Sequence, residues 1–431
     1  MVSRTRSPIR IYLLLVALFS LFFTMFATYS GVYRFSVAHL NPFELVLVGT
    51  VLEGSIFLFE IPTGVVADVR SRRISIIIGL FLVGAGFAFE GSFPSLIPIL
   101  IAQVIWGIGY TFTSGAREAW LADEVNDEAR VGRIYLRGAQ VGQMASIVGM
   151  LFSVALASIH VSVPMVVAGF GVMLLGVLMI FVMSEQNFHP VPHPENLPFA
   201  EMGRTFRRGM GVVRGRPVLL TILWIGIFFG MSSEAFDRLW EAHFLANLGF
   251  PSLGHLSVVV WFGIINAGAM ALSLIVTEIV IRRVDTTSHM RVTRMLLCIN
   301  VVLALSVIGF GLAGGFTMGL AAYWVAYTMR TANDPLYTAW MNQSLEPRIR
   351  ATVFSISSQM DALGQIVGGP LIGLIGTAVS IGAAMVTSGL TLVPALVLYV
   401  RTGRDRTSIA KVVAESGDGK LSPDSGQSEN D

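Results

Sequence analysis

Glu53 and Glu60 are two glutamates inside a long apolar stretch of the sequence. Seven residues make two turns of an α-helix, so the two carboxyl groups lie on one helix face about 10 Å apart. A carboxyl group that water solvates poorly favours its neutral form, and it can then take up and release a proton near neutral pH. Glu53 lies deeper in the stretch and is the stronger candidate for proton exchange, whereas Glu60 has an alternative as the ion-pair partner of Arg117.

Two later apolar stretches also carry ionisable residues. Arg330 and Asp334 are about one helical turn apart, and such a pair either forms a structural salt bridge or lines a functional surface. Asp361 precedes a glycine-rich run and is either a proton-exchanging group or a partner of Arg330. Ionisable groups in apolar helices cost free energy unless they face a partner or a water-filled cavity, so each of them is a functional candidate.

A further cluster of charged residues lies in the stretch SSEAFDRLWEAHF. We expect a solvated helix end there, with an outer gate as the alternative. Its charged residues are Glu234, Asp237, Arg238 and Glu241.

The composition identifies the solvent around these residues. The chain of 431 residues is 54% hydrophobic and only 13% charged, whereas soluble domains carry roughly 25% charged residues. We therefore expect a protein that crosses a lipid bilayer many times. The net charge of +2 gives no ground for nucleic-acid binding. The single cysteine, Cys298, excludes a disulfide within the chain, and we expect it to be buried and inert.

Twelve stretches are long and apolar enough to cross a bilayer, which takes about 20 residues. Short links between several of them force the neighbouring helices to run antiparallel. The stretches are 9–33, 42–66, 74–92, 95–117, 134–158, 163–183, 218–240, 255–281, 291–313, 316–338, 352–376 and 379–400.

Basic residues are distributed unevenly over the links. Lys and Arg concentrate in alternate links and near both ends of the chain, with Arg34, Arg238 and Arg330 as the exceptions. Because basic loops stay on the cytoplasmic side, we expect both termini in the cytoplasm and the protein in the inner membrane of a cell.

The longest link, 184–216, divides the stretches six and six. Its basic part, FAEMGRTFRRGMGVVRGR, is either an interfacial helix or a solvated linker. We therefore expect one six-helix unit over 1–183 and another over 217–400. The remainder, 401–431, is polar and low in aromatic residues, so we expect it to be disordered.

Two pairs of short motifs repeat between the two units. Gln140 and Gln359 are each followed seven residues later by Ile-Val-Gly, and Ala-Trp occurs at 119–120 and at 339–340. The offsets of 219 and 220 residues agree with each other, as a duplication of six helices requires. Such repeats place a substrate site at their interface, near the bilayer midplane. We expect an all-α membrane protein with twelve transmembrane helices in two pseudo-symmetric six-helix bundles.

The link between the second and third stretches, GVVADVRSRR, resembles the signature of the major facilitator superfamily. Val69 and Ser71 depart from that signature. The resemblance implies the twelve-helix fold and a latch that holds the outward-open state, with an acid at the end of span four. Asp123 or Glu124 stands at that place. The matching residues are Gly64, Ala67, Asp68, Arg72 and Arg73.

The glycine-rich run in span eleven is similar to the glycine-proline motif of drug:proton antiporters. That motif normally lies in span five, and close packing of small residues is the alternative explanation. Span four carries Gln103 where many relatives have an arginine, so proton coupling through that residue is not carried over. The run contains Gly364, Gly368, Gly369, Pro370 and Gly373.

No nucleotide-binding loop, metal-ligand cluster or nucleophile motif is evident in the sequence, so we expect neither an enzyme nor a cofactor. The leading hypothesis is a monomeric secondary transporter that exchanges protons for small amphipathic compounds by alternating access. The resemblance, not the residues, implies the direction of efflux. A proton-coupled importer of a metabolite and a transport-inactive sensor or scaffold are the alternatives.

Overall fold

The computed structural model describes residues 7–190, 217–251, 256–283, 288–344 and 347–401. The regular structure in this part of the chain is helical. A π-helical turn, Phe244–Leu248, continues α8. The helices are α1 Pro8–Ser36, α2 Pro42–Val69, α3 Arg72–Ser92, α4 Leu96–Thr113, α5 Ala116–Val125, α6 Glu128–Ala157, α7 Val163–Val182, α8 Pro217–His243, α9 Val258–Arg283, α10 His289–Gly311, α11 Phe316–Ser344, α12 Pro347–Ala378 and α13 Ile381–Leu390.

Each of the twelve predicted spans corresponds to one helical stretch, with α4 and α5 together forming the fourth and α13 continuing to Arg401. Ten of these stretches in the described chain are long and apolar enough to cross a membrane by themselves. The other two are α11 and α12, which carry Arg330, Asp334 and Asp361. Several helices extend beyond the predicted boundaries. The prediction used the roughly 30 Å of a bilayer core, whereas a helix of 29 residues such as α1 is about 44 Å long.

The fourth span, predicted as one helix over 95–117, is broken. α4 ends at Thr113, and α5 starts after Gly115, which has a φ of 70°. Glycine reaches this left-handed region without strain, and it redirects the chain. The break sets the direction of α5, which carries Asp123.

Local sequence also sets the ends of the helices. α2 begins with a capping box, in which the Asn41 side chain accepts from the Glu44 N–H and the Glu44 carboxylate accepts from the Asn41 N–H. Pro42 occupies the first helical turn, where its missing N–H costs nothing. Ser71 and Asp127 cap α3 and α6 in a similar way.

For description we call α1 to α7 the first set of helices and α8 to α13 the second set. In the first set α1 packs against α6 and α7, and α3 packs against α4 and α7. In the second set α8 packs against α12 and α13, and α11 packs against α9 and α10. The sets meet where α2 contacts α12 and α8, where α1 contacts α8, and where α6 contacts α9.

The repeated motifs occupy corresponding places in the two sets. Gly149 of α6 lies against α1, and Gly368 of α12 lies against α8. Trp120 is fully buried and donates to the Ser184 carbonyl after the last helix of its set. Trp340 is fully buried against Tyr399 in the last helical span of the other set, with ring centroids 5.7 Å apart.

The two ends of the molecule differ in packing. We call the end with the α1–α2 loop the far end and the end with the α2–α3 loop the near end. One apolar core runs through the first set and continues into the far part of the second. A separate core fills the near part of the second set. The sets are therefore joined at the far end and separated at the near end.

The expectation that Cys298 is buried was wrong, because this residue is exposed on α10. An apolar transmembrane helix turns part of its surface to lipid, so an apolar sequence around a residue does not imply burial in protein. The basic part of the central link and nearly all of the segment 401–431 lie outside the described residues.

Candidate functional site

A central cavity of about 510 Å³ lies between the two sets of helices. Three acids line it, namely Glu53 and Glu60 from α2 and Asp361 from α12. Arg238 of α8 lines it too. Four aromatic residues of the first set also line it and form what we call its aromatic wall: Phe23, Phe57, Trp106 and Tyr110. The cavity thus brings together acids that are about 300 residues apart in the chain and gives them a mixed apolar and polar environment.

The acids of the central cavity have few protein partners. The Asp361 carboxylate accepts one hydrogen bond of 2.8 Å from Gln365 Nε2. Within the described chain no ion pair joins Glu60 to Arg117, and the Arg117 guanidinium lies over the Phe19 ring at 5.2 Å instead. Carboxyl groups without a fixed counter-charge remain available to protons or to a ligand.

The expected pair of Arg330 with Asp334 is not formed. Arg330 reaches from α11 to Asp237 on α8, where its two Nη atoms contact both carboxylate oxygens. The Nη2–Oδ2 distance is 2.7 Å. A planar guanidinium matches a carboxylate in this bidentate arrangement, and an acid one turn away on the same helix cannot present both oxygens as well. The alternative pairing of Arg330 with Asp361 is not found either among the described ion pairs.

Asp334 instead lines a second cavity, which we call the side pocket. It has a volume of about 300 Å³ and lies between α8, α11 and α12. Asp361 and Ser358 line both the side pocket and the central cavity. The two cavities are therefore neighbours at this point of α12.

The glycine-rich run of α12 forms close contacts on two sides. Gly364 and Gly368 face α8, where an added Cβ would collide with Ile227 or Met231. A Cβ on Gly369 would meet both Glu234 of α8 and Val46 of α2, and a Cβ on Gly373 would lie 3.1 Å from Cβ of Val46. These are the close helix contacts that small residues allow. Pro370 lies within the helix, between Gly369 and Gly373.

Charged residues of α8 lie at the contact with the first set, and the expectation of a solvated helix end was wrong for Glu234 and Glu241, whereas Asp237 is exposed. Glu234 is only 1% exposed, and its carboxylate lies 3.0 Å from Nε of Arg238. This pair faces Gly49 of α2, and Glu241, which is 5% exposed, faces Gly31 of α1. Helices of the first set cover this face of α8, which the local sequence could not indicate.

The signature segment is held together by contacts within the first set. Arg72 forms an ion pair with Asp123 of α5 and lies 3.6 Å from Asp68. Arg73 Nη2 donates to the Ile180 carbonyl at 2.6 Å. Gly64 has no neighbouring atom within 4 Å of an added Cβ. In this structure Gly64 therefore makes no close helix contact.

Glu185 is a part of this arrangement that the sequence reasoning missed. Its carboxylate accepts from the backbone N–H groups of Arg72 and Arg73, at 2.7 and 3.0 Å, and from Ser71 Oγ. It therefore neutralises the positive end of α3, a role that Asp68 could have taken. A lone glutamate more than 100 residues from α3 carries no local signal of this contact.

A buried polar network inside the first set was also missed. Arg34 and Glu90 are 4% and 1% exposed, and Nε of Arg34 lies 2.7 Å from Oε1 of Glu90. Gln103 donates to the other Glu90 oxygen at 2.5 Å. In the sequence, only the isolated Arg34 in α1 and Glu90 in α3 indicated such a network.

Known proteins resemble this chain over most of its length. Residues 12–342 match the family described as Major Facilitator Superfamily. The chain is 24% identical over 381 residues to the uncharacterized MFS-type transporter YxaM of Bacillus subtilis (strain 168), covering 86% of this chain and 90% of YxaM.

Among solved structures, a mutant of the nucleoside transporter NupG superposes with a TM-score of 0.72 at 12% identity, covering 91% of this chain and 99% of NupG. A bacterial homolog of the human lysosomal transporter Spinster gives a TM-score of 0.68 at 16% identity, covering 93% of this chain and 98% of that one. These similarities support membership of the superfamily and the fold, but they do not confirm the narrower resemblance to drug:proton antiporters.

Proposed function

The chain belongs to the Major Facilitator Superfamily and is a multi-pass membrane transporter of small molecules, not an enzyme, and on this premise we propose that it exports amphipathic compounds in exchange for protons. One observation carries the proposal. The central cavity combines the carboxyl groups of Glu53, Glu60 and Asp361 with an aromatic wall, so it offers both proton acceptors and an apolar surface.

The aromatic wall supports a substrate with a broad apolar part. Ligand pockets are mostly apolar and hold a few well-placed polar groups, with volumes of roughly 300–1,000 Å³. The volume of the central cavity falls within this range, and the indole of Trp106 and the phenol of Tyr110 line it. The acids of the same cavity favour substrates that carry a positive charge or hydrogen-bond donors.

The proton pathway of this proposal uses Glu53 and Asp361. Both line the central cavity from different sets of helices, Glu53 from α2 and Asp361 from α12. Motion between the sets then changes the surroundings of both acids, which is what coupling to a proton gradient requires. Glu60 is exposed to the cavity and is the third acid of this pathway.

Alternating access is the proposed mechanism, with 1–183 and 217–400 as two pseudo-symmetric six-helix bundles. The far end is closed by the contact of α2 with α12 and by the pair of Glu234 with Arg238. At the near end Arg72 and Asp123 are linked within the first bundle. Closing the near end while opening the far end would turn the central cavity to the other side of the membrane.

We place the protein in the inner membrane of a cell with both termini in the cytoplasm, so that the near end is cytoplasmic. The basic residues of the α2–α3 loop, Arg70, Arg72 and Arg73, support this orientation. In that case the structure is open towards the cytoplasm, the side on which an exporter collects its substrate.

The experiment that tests the proposal is uptake of ethidium into everted membrane vesicles with an acidic interior. An exporter that exchanges protons accumulates ethidium in such vesicles, and Glu53→Gln abolishes the accumulation. Glu278→Gln is the matched control, because Glu278 is an exposed acid of α9 that pairs with Arg282 away from both cavities.

The same experiment separates the alternatives. A proton-coupled importer would not accumulate its substrate in these vesicles, but it would do so in right-side-out vesicles in acidic medium. A sensor or scaffold would be stabilised against heat by a ligand without moving it in either preparation. Either result would contradict the export proposal.

A further inference from the structure

The side pocket is a built cavity of the second set of helices that the transport proposal does not use. Its volume of about 300 Å³ lies at the lower end of the range for ligand pockets, which is roughly 300–1,000 Å³. The pocket is formed by α8, α11 and α12, with Tyr399 of the last span also lining it. It borders the central cavity at Asp361 and Ser358.

The charged residues that line the side pocket are acidic. Asp334 and Asp361 both line it, and no Lys, Arg or His of the described chain does. Arg330, the basic residue one turn before Asp334, is held by Asp237 of α8 through both of its Nη atoms. Among the described residues the Asp334 carboxylate has neither an ion pair nor a hydrogen bond, so it is free to bind a cation.

The walls of the side pocket fit an organic cation better than a metal ion. Phe229, Tyr337, Phe354 and Tyr399 line it, and aromatic rings attract ammonium groups through their faces. No cluster of three or more metal-ligating side chains occurs in the part of the chain that the structure describes. Gly226 of α8 also lines the pocket, and a Cβ added there would lie 3.3 Å from the Ser357 carbonyl oxygen of α12.

We propose that the side pocket binds the ammonium group of an aryl-ammonium compound, with Asp334 as the counter-ion and the aromatic rings around it. The role of this pocket in transport rests on the proposed function. The pocket then selects cationic amphipathic compounds, whose apolar remainder extends past Asp361 into the central cavity. Binding itself does not depend on transport, so it can be tested without flux.

Calorimetric titration of the purified full-length protein with phenyltrimethylammonium tests the proposal, and tert-butylbenzene, which has nearly the same shape and no charge, is the ligand control. We expect binding of the cation only. Asp334→Asn keeps the size of the side chain and removes its charge, and it should weaken binding about tenfold or more. Thr338→Trp should have a similar effect, because Thr338 is an exposed residue of the pocket wall and the indole would fill the space.

Two further variants locate the bound cation. Glu278→Gln removes an exposed acid of the same set outside both cavities and should leave the affinity unchanged. Glu53→Gln removes an acid of the central cavity that does not line the side pocket, and it should weaken binding less than Asp334→Asn does. Equal affinity for Asp334→Asn and the unmodified protein would overturn the proposal, as would loss of binding in Glu53→Gln alone.

Failure of this inference is distinguishable from failure of the proposed function. If ethidium accumulates in everted vesicles while Asp334→Asn binds phenyltrimethylammonium normally, the transporter is confirmed and the side pocket is not its cation site. If the unmodified protein binds no phenyltrimethylammonium, the side-pocket proposal is wrong whatever the vesicles show.

Discussion

At the scale of single residues, burial decides which charged groups are structural and which remain available for function. Arg34 and Glu90 are the most completely buried ion pair of the described chain, and Gln103 completes the bonding of Glu90. Their charges neutralise each other inside the first set. The acids of the central cavity lack such partners, which is why we assign the proton chemistry to them and not to Glu90.

Removing one member of the buried pair should destabilise the protein strongly. In Glu90→Gln the Arg34 guanidinium loses its counter-charge at a buried position, which costs about 3–5 kcal/mol of unfolding free energy. A thermal melt of the purified protein measures the change. Glu278→Gln breaks the exposed pair with Arg282 and should cost about 0.5 kcal/mol or less. Equal melting temperatures for the two variants would contradict a structural role for the buried pair.

A single carboxylate also supports the signature segment. Glu185 accepts from two N–H groups in the first turn of α3, and Glu185→Gln should weaken this contact by about 1 kcal/mol. Hydrogen exchange at the amides of Arg72 and Arg73 measures the effect, and we expect it to become severalfold faster. The matched control is Glu44→Gln, which changes the cap of α2 at the far end and should leave these two amides unaffected. Unchanged exchange in Glu185→Gln would show that the cap does not depend on the charge.

At the scale of elements, the glycine-rich run of α12 allows two different helices to approach it closely. Gly364 and Gly368 face α8 in the same set, Gly373 faces α2 in the other set, and Gly369 lies against both helices. The run therefore lies at the junction that closes the far end. Small-residue packing, one of the two explanations that the sequence offered, describes these contacts directly.

Filling the contact between α12 and α2 should favour the state that is open at the far end. In Gly373→Leu the added side chain collides with Val46 and with the backbone at Phe43, so α2 and α12 cannot close. A cysteine introduced at Thr50, with Cys298→Ser as background, should react severalfold faster with a membrane-impermeant maleimide. Gly309→Leu is the control, because Gly309 of α10 has open space at its Cβ position. Equal labelling rates in both variants would contradict this view of the closed end.

The sequence predicted much of the fold because hydrophobic length and basic loops are local features. Twelve spans, the signature segment and the acids of α2 could all be recognised within short windows. The partner of Arg330, the burial of Glu234 and Glu241 and the cap formed by Glu185 could not, because each depends on contacts between helices that are distant in the chain. The break before α5 was missed because Gly115 is a single glycine near the end of the predicted span, and glycines also occur inside unbroken helices of this chain such as α2.

At the scale of the whole molecule, the two sets of helices are joined at one end and enclose the central cavity between them. The larger core bridges the sets at the far end, and a separate smaller core fills the near part of the second set. In the proposed mechanism, the sets move relative to each other about this shared core. The acids to which we assign proton binding and the aromatic wall lie between the two sets, where such a motion has the greatest effect on their surroundings.

The measurement that tests this account most directly is substrate-evoked proton movement in liposomes that contain the purified protein and an acidic, dye-loaded interior. We predict that external ethidium raises the internal pH for the intact protein and for Glu278→Gln, and that Glu53→Gln abolishes the response. Proton movement that is equally large in Glu53→Gln, or absent from the intact protein, would contradict proton exchange through the acids of the central cavity.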